Sequence, residues 1–131
     1  MNLEALIKEF ISLKKFALVG ATDRKEKFGY KILVSLVSRG YSVYPINPRL
    51  EEIEGHKCYK TLSDLPVKVD VVDLVVPPAV TEKVVEECYT LGLTRVWMQP
   101  GASSEKAIKY CDDNGIKVVH DACVMTSHPD E

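Results

Sequence analysis

One short stretch of the sequence combines residue types that suit a phosphate site. VGATDRKEKFG, residues 19–29, runs from an apolar segment through a glycine turn into a charged segment. Gly20 carries no Cβ, so the backbone there can turn sharply and approach a ligand closely. The helix expected after the turn would offer free N–H groups and the positive end of its dipole. The stretch therefore predicts a turn that binds a phosphate-bearing molecule.

Side chains around this turn strengthen the prediction. Thr22 offers a hydroxyl donor, and Gly29 would allow close packing on a pyrophosphate or on the neighbouring strand. We expect Gly20→Val to abolish binding and to leave the fold intact, because the added Cβ would occupy the phosphate approach. A glycine that serves only the geometry of a strand–helix turn is the alternative interpretation. Three cations follow the turn: Arg24, Lys25 and Lys27.

The spacing differs from the dinucleotide pattern Gly-x-Gly-x-x-Gly, because Thr22 and Lys25 occupy its second and third glycine positions. NAD-binding proteins also place an acid at the end of the second strand, where it binds the ribose hydroxyls. Asn47 holds that position here, Arg49 follows it, and the acids at 51–52 come too late. This pattern argues against NAD and leaves NADP open.

Alternating strands and helices must position these residues. The predicted strands are 16–19, 41–47, 69–77, 94–99 and 117–120. The predicted helices are 2–14, a second that starts near Gly29, has its apolar positions within 32–37 and stops at Gly40, a third over 80–91 and a fourth over 103–114. This alternation predicts one α/β domain over residues 1–131, a Rossmann-like doubly wound fold with a five-stranded parallel sheet and flanking helices. Ligands of such sheets bind at the carboxyl ends of the strands, near the topological switch point.

Composition narrows the possible partners. The 131 residues are 46% hydrophobic and 27% charged, with a net charge of only -2, so no global field favours nucleic acid or an anionic membrane. No apolar run approaches the roughly 20 residues that a membrane-spanning helix needs. Four cysteines without a Cys-x-x-Cys pair suit reduced cytosolic thiols, and no residue cluster has metal-ligand spacing. We predict a cytoplasmic protein that binds no metal.

Four stretches, taken together, resemble a known family: VGATDRKEKFGYKILVSLVSRGYSVYPINP, GHKCYKTLSDLP, VDVVDLVVPP and VWMQPGA. They resemble the small stand-alone coenzyme A-binding proteins. These are similar to the N-terminal CoA-binding domain of the succinyl-CoA synthetase α-subunit and of NDP-forming acyl-CoA synthetases. The resemblance extends over roughly residues 12–125 and implies that the ligand is CoA.

The resemblance also implies a set of ligand contacts at the sheet edge. The first turn and the residues after it would bind the phosphates, the second turn would lie beside the adenosine, and the remaining turns would line the path of the ligand. The implied residues are Gly20, Ala21, Thr22, Arg24, Lys27, Phe28, Gly29, Asn47, Pro48, Arg49, Val76, Pro77, Pro78, Gln99, Pro100, Gly101 and Ala102.

Two features differ from the family pattern. Relatives often carry Pro and Gly in the first loop, where this chain has the charged run DRKEK at 23–27. Relatives also commonly carry an Arg-Cys pair near the end of the domain, where this chain has Ala122 and Cys123. The phosphate contacts of the first loop are the part of the site that these differences affect most.

Further reactive side chains follow the last strand. His120 and Asp121 could form an acid–base pair, although a polar strand end is the simpler interpretation. Cys123 lies where a mixed disulfide with CoA could form. Cys88 and Cys111 fall on apolar helix faces and are expected in the core.

These observations lead to one functional hypothesis. We predict non-catalytic binding of coenzyme A or an acyl-CoA at the C-terminal edge of the sheet, because the sequence contains no nucleophile–base–orienter set. The alternatives are an NADP-binding oxidoreductase-like module and a nucleotide-sensing regulatory subunit. A protein partner and the oligomeric state stay open.

Overall fold

The computed structural model describes residues 2–128, which contain four α-helices and seven β-strands. The helices are α1 (Leu3–Ser12), α2 (Phe28–Ser38), α3 (Pro78–Leu91) and α4 (Glu105–Asp113). The strands are β1 (Lys15–Val19), β2 (Ser42–Ile46), β3 (Glu52–Ile53), β4 (His56–Lys57), β5 (Val71–Leu74), β6 (Arg95–Met98) and β7 (Lys117–His120). Short 3₁₀ turns occur at Leu62–Asp64 and Val124–Thr126.

Five parallel strands form the central sheet, in the order β2-β1-β5-β6-β7. This confirms the predicted Rossmann-like α/β fold. The chain builds β2 on one side of β1 and then returns to build the other strands on the opposite side. The topological switch point therefore lies between β1 and β5, where ligands of such sheets bind.

Two details differ from the predicted elements. The strand predicted over 69–77 is shorter, because β5 covers only Val71–Leu74. The irregular segment after β2 contains the antiparallel hairpin of β3 and β4, which was not predicted. Each strand of this hairpin has only two residues, too few to show a period in the sequence.

Apolar side chains on both faces of the sheet build two core layers. Along β1, Ala17 and Val19 face one layer, while Phe16 and Leu18 face the other. Helices α3 and α4 cover the first layer, and helices α1 and α2 cover the second. This double burial explains the continuously apolar strands of the sequence. Cys88 and Cys111 are fully buried in the first layer, as predicted.

Neither a membrane span nor a disulfide occurs in the described residues. None of the helices within residues 2–128 is long and apolar enough to cross a bilayer. All four cysteines carry free thiols.

A half-buried ion cluster fastens α1 to the sheet. The Glu9 carboxylate accepts hydrogen bonds from Arg95 Nε at 2.7 Å and from Lys117 Nζ at 2.9 Å. The Arg95 hydrogen bond, followed by that of Lys117, lowers the pKa of Glu9. Next to Glu9, the Phe10 ring packs edge-on against Trp97, with 6.1 Å between the ring centroids. Helix α1 is therefore bound to β6 and β7 by both charge and packing.

Glu9→Gln should destabilise the protein by about 1 to 2 kcal/mol at neutral pH, because two cations lose their shared charged partner. A lowered pKa means that this stabilisation exists above the unfolded pKa of Glu and is lost as the pH falls through the folded value. The difference in the free energy of unfolding between wild type and variant, measured by urea unfolding, should therefore become smaller in acid. Glu4→Gln, at an exposed pair with Lys8 on the same helix, is the control and should leave stability unchanged. An equal loss in both variants would contradict this assignment.

Candidate ligand site

Two clefts open at the C-terminal edge of the sheet and meet at the turn after β1. The first has a volume of about 620 Å³ and is lined by Gly20, Thr22, Arg24, Lys27, Phe28, Val75, Val76, Pro77, Pro78, Pro100, Gly101 and Ala102. The second has a volume of about 330 Å³ and is lined by Val19, Gly20, Ala21, Thr22, Ile46, Asn47, Pro48, Lys60, Thr61, Leu62, Val76, Val80, Val84 and Glu87. Gly20, Thr22 and Val76 belong to both clefts. The two clefts therefore adjoin at the Gly20 turn, on the sheet edge predicted from the sequence.

Close backbone packing holds the turn at the centre of this site. Gly20 has a φ of +97°, and a Cβ built on it would lie 2.4 Å from the backbone oxygen of Val75. A Cβ on Gly29 would lie 2.1 Å from the backbone oxygen of Gly20. The start of α2 therefore rests directly on the turn, and the turn rests on the end of β5.

This packing corrects the expectation for Gly20→Val. The added Cβ would strike the Val75 backbone instead of entering the phosphate approach. Because backbone atoms cannot move aside as a flexible side chain can, the substitution would disturb the fold itself. Gly29 lies outside both clefts. Its contact with the Gly20 turn is the close packing that the sequence also suggested.

Two of the four helices leave their first N–H groups without a side-chain cap within the described chain, and both begin at the clefts. Asn2 caps α1 and Ser104 caps α4, each accepting a hydrogen bond from the first turn. Helix α2 follows Lys27 and helix α3 follows Pro77, with no side-chain cap in either case. The first N–H groups of an uncapped helix can bind an anion, which applies to α2 more than to α3, because the first residue of α3, Pro78, has no N–H.

Within the charged run 23–27, Lys27 is the cation that lines the first cleft without an ion pair among the described residues. Arg24 Nε contacts Glu26 Oε1 at 3.2 Å, which offsets its charge. Lys27 lines the first cleft and forms no ion pair within residues 2–128. Thr22 Oγ1 accepts a hydrogen bond from the Arg24 backbone N–H at 3.2 Å and still carries a hydroxyl proton to donate. Phe28 is 62% exposed at the rim of the same cleft.

Asn47 ties the first two turns together through its side chain. Its Nδ2 donates to the Ala21 backbone oxygen at 2.8 Å. Its Oδ1 accepts from the backbone N–H groups of Arg49 at 2.8 Å and Leu50 at 3.1 Å. Asn47 lines the second cleft, whereas the exposed Arg49 lies outside both clefts. The amide of Asn47 thus shapes the site from within the fold.

A second amide, Gln99, supports the far wall of the first cleft from below. It is only 2% exposed and lies outside both clefts. Its Nε2 donates to Asp73 Oδ1 at 2.7 Å, and its Oε1 accepts from the Val124 N–H at 3.1 Å. The turn formed by Pro100, Gly101 and Ala102 starts from this anchored residue. Burial raises the pKa of Asp73 to about 7, and its Oδ2 has no hydrogen-bond partner among the described residues.

The reactive side chains at and after the end of β7 lie outside both clefts. His120 Nδ1 and Asp121 Oδ2 are 2.7 Å apart, so the predicted pair does form. Asp121 adopts a φ of +61°, which is uncommon for a residue other than glycine. Cys123 is half-buried beside this pair. No group of three or more candidate metal ligands occurs in residues 2–128.

The sequence reasoning missed one wall of the second cleft. Tyr59 forms a parallel bridge to Ile46, and the next residue, Lys60, is thereby brought to the sheet edge. Val80, Val84 and Glu87 complete the wall from α3. Their spacing of four and three residues places them on one helix face, which the sequence pattern could have shown. The position of Lys60 depends on a long-range bridge that no local pattern records.

Comparison with known proteins identifies similar domains. The sequence model of the family described as CoA binding domain matches residues 14–129. An ADP-forming acetate–CoA ligase of Methanocaldococcus jannaschii is 41% identical over 80 residues, which are 61% of this chain and 11% of the ligase. The uncharacterized protein YneT of Bacillus subtilis is 27% identical over 126 residues, covering 95% of this chain and 93% of YneT. A hypothetical protein from Pyrococcus horikoshii superposes with a TM-score of 0.91 at 37% identity, covering 98% of this chain and 90% of that one.

Gly20→Ala should destabilise the fold by about 3 kcal/mol, because a strained φ and a backbone collision add together. Gly40→Ala is the matched control, since Gly40 has a φ of +89° with no atom within 4 Å of the added Cβ. The control should cost only about 1 to 2 kcal/mol. Urea unfolding of both variants measures the difference. Equal losses would show that the turn accommodates a Cβ.

The raised pKa of Asp73 should make stability depend on pH. The folded state keeps a proton that the unfolded chain releases, so stability should fall as the pH rises from about 4 to about 7 and then level off. Asp73→Asn should remove this part of the slope in urea unfolding across that range. Asp112→Asn, exposed on α4, should keep the wild-type slope. A slope unchanged by Asp73→Asn would contradict the assignment.

Proposed function

This chain belongs to the CoA-binding domain family, and we propose that it binds coenzyme A or an acyl-CoA in the two joined clefts without catalysing a reaction itself. The observation that carries the proposal is that both clefts share the Gly20 turn. A coenzyme with a central diphosphate and two different ends fits such a site. The diphosphate would lie at the shared turn, and one end would enter each cleft.

The first cleft suits the pantetheine arm. Its wall beyond the turn is formed by apolar residues and prolines, among them Val75, Val76 and Pro77. Pantetheine carries no charge, so apolar contact with a few backbone groups is enough to hold it. Lys27 and the start of α2 lie at the diphosphate end of this cleft, where their charge and dipole favour the anion.

The second cleft suits the adenosine end. Pro48, Ile46 and Val76 give it flat apolar walls that can enclose a base. Asn47 stands where a dinucleotide site places its ribose-binding acid, and its side chain already bonds backbone groups of both turns through Nδ2 and Oδ1. A free ribose diol of NAD would find no acid at this position. This supports CoA over a nicotinamide dinucleotide.

The proposal of a binding role without catalysis rests on where the reactive side chains lie. The His120–Asp121 pair is outside the clefts, and Asp73 is fully buried beneath them. The chain spans 11% of the length of the archaeal ligase that it matches. We therefore infer that any reaction of the bound thioester is carried out by other protein elements. A cytoplasmic location stays a prediction from the cysteine content.

A thermal-shift series tests the ligand class, because a ligand that binds the native state raises its melting temperature. CoA and acetyl-CoA should stabilise the protein, whereas NAD and NADP should leave the melting temperature unchanged. Mass spectrometry of small molecules released from the purified protein provides an independent check. Stabilisation by NAD or NADP alone would overturn the proposal.

Lys27→Gln should weaken CoA binding by about 10-fold, because one charged contact with the diphosphate is lost. Lys25→Gln is the matched control: Lys25 lies two residues earlier, is exposed and lies outside both clefts. The control should change the affinity little, and isothermal titration calorimetry measures both. If the two variants lose affinity equally, Lys27 acts only through the general charge of the loop.

A further inference from the structure

Resting on the proposed function, we propose that Lys60 and Glu87 select the adenosine 3′-phosphate end of the coenzyme in the second cleft. Lys60 binds the 3′-phosphate, and Glu87 accepts a hydrogen bond from the adenine amino group. These two side chains are the charged residues among those that line this cleft. They come from different elements, Lys60 from the segment after the β3–β4 hairpin and Glu87 from α3.

The backbone around Lys60 is fixed on both sides. Before it, Tyr59 N–H donates to the Pro45 oxygen at 2.9 Å, and the Tyr59 oxygen accepts from Asn47 N–H at 2.9 Å. After it, Thr61 starts a 3₁₀ turn that Asp64 caps. A cation held between two anchored residues keeps its place at the cleft with little loss of backbone entropy on binding.

The charge of Lys60 is available to a ligand. Lys60 forms no ion pair within the described part of the chain and is exposed at the cleft. The neighbouring Lys57 differs, because its Nζ lies 5.3 Å from the centre of the Tyr59 ring. Of these two lysines, Lys60 is the one that lines the cleft. CoA carries a phosphate on its ribose 3′ oxygen, and dephospho-CoA does not, so this lysine can distinguish them.

Glu87 favours a hydrogen-bond donor of the ligand, whereas Lys60 favours an anion. It is half-buried on α3, on the same face as Val80 and Val84, and it lines the cleft. A carboxylate accepts hydrogen bonds but repels phosphate, so the phosphate must lie on the Lys60 side. The adenine amino group is a donor that suits Glu87. Hypoxanthine has an oxygen at that position, which a carboxylate would repel.

Calorimetry with CoA and 3′-dephospho-CoA tests the role of Lys60. Wild type should bind CoA about 10-fold more tightly than dephospho-CoA, and Lys60→Gln should lose this preference through weaker CoA binding alone. Lys83→Gln is the control, because Lys83 is an exposed lysine on α3 outside both clefts. It should keep the wild-type preference. A preference retained in Lys60→Gln would overturn the assignment.

Adenosine 3′,5′-bisphosphate and inosine 3′,5′-bisphosphate test Glu87 as competitors of CoA. Wild type should favour the adenosine compound, and Glu87→Gln should accept both nearly equally, because an amide both donates and accepts. An unchanged preference in Glu87→Gln would overturn its role. Circular dichroism and melting temperatures should match wild type in all three variants.

The outcomes distinguish a failure of CoA binding from a failure of the role assigned to Lys60. If wild type binds neither CoA nor dephospho-CoA, the proposed function itself fails. If wild type binds both equally and Lys60→Gln changes nothing, the proposed function stands and the inference about Lys60 is wrong.

Discussion

The contact between the start of α2 and the Gly20 turn is the constraint on which the site depends. With no Cβ on Gly29, the helix approaches the Gly20 carbonyl so closely that a methyl group would lie 2.1 Å from that oxygen. The Gly20 turn also packs closely against the backbone of Val75. These contacts aim the uncapped N-terminus of α2 at the switch point between β1 and β5. The position of this helix end, which suits an anion, is thereby fixed by backbone contacts.

The polar side chains at the same edge divide into two groups with different tasks. Asn47 and Gln99 form hydrogen bonds within the protein. Asn47 links two turns, and Gln99 links β5 to the segment at Val124. Thr22, Lys27 and Lys60 retain donors that face the clefts. Residues of the first group keep the edge rigid, so the second group meets a ligand in a preformed geometry.

Most of the fold was predictable because its evidence is local. Strands buried on both faces appear as apolar runs such as FALV at 16–19, and the edge that carries the candidate site follows from parallel strand order. The roles of individual residues were less predictable. Gln99 resembles a ligand contact in the sequence, but it lies outside both clefts and its hydrogen-bond partners are distant along the chain. The contact of the Gly20 turn with Val75 also joins residues that are distant along the chain. Lys60 was missed for the same reason, since a long-range bridge positions it.

The charged run 23–27 gains a physical interpretation from this division of tasks. Backbone packing sets the shape of the Gly20 turn, where the phosphates are proposed to bind, so the side chains of the run need not shape it. Arg24 is paired with Glu26, which leaves Lys27 as the cation of this run that lines the first cleft without such a partner in residues 2–128. Exposed charges of this kind act through a field that salt screens within about 10 Å. In the proposed complex, the run would tune the strength of anion binding and the glycines would set its position. A local site of this kind is compatible with a net charge of only -2.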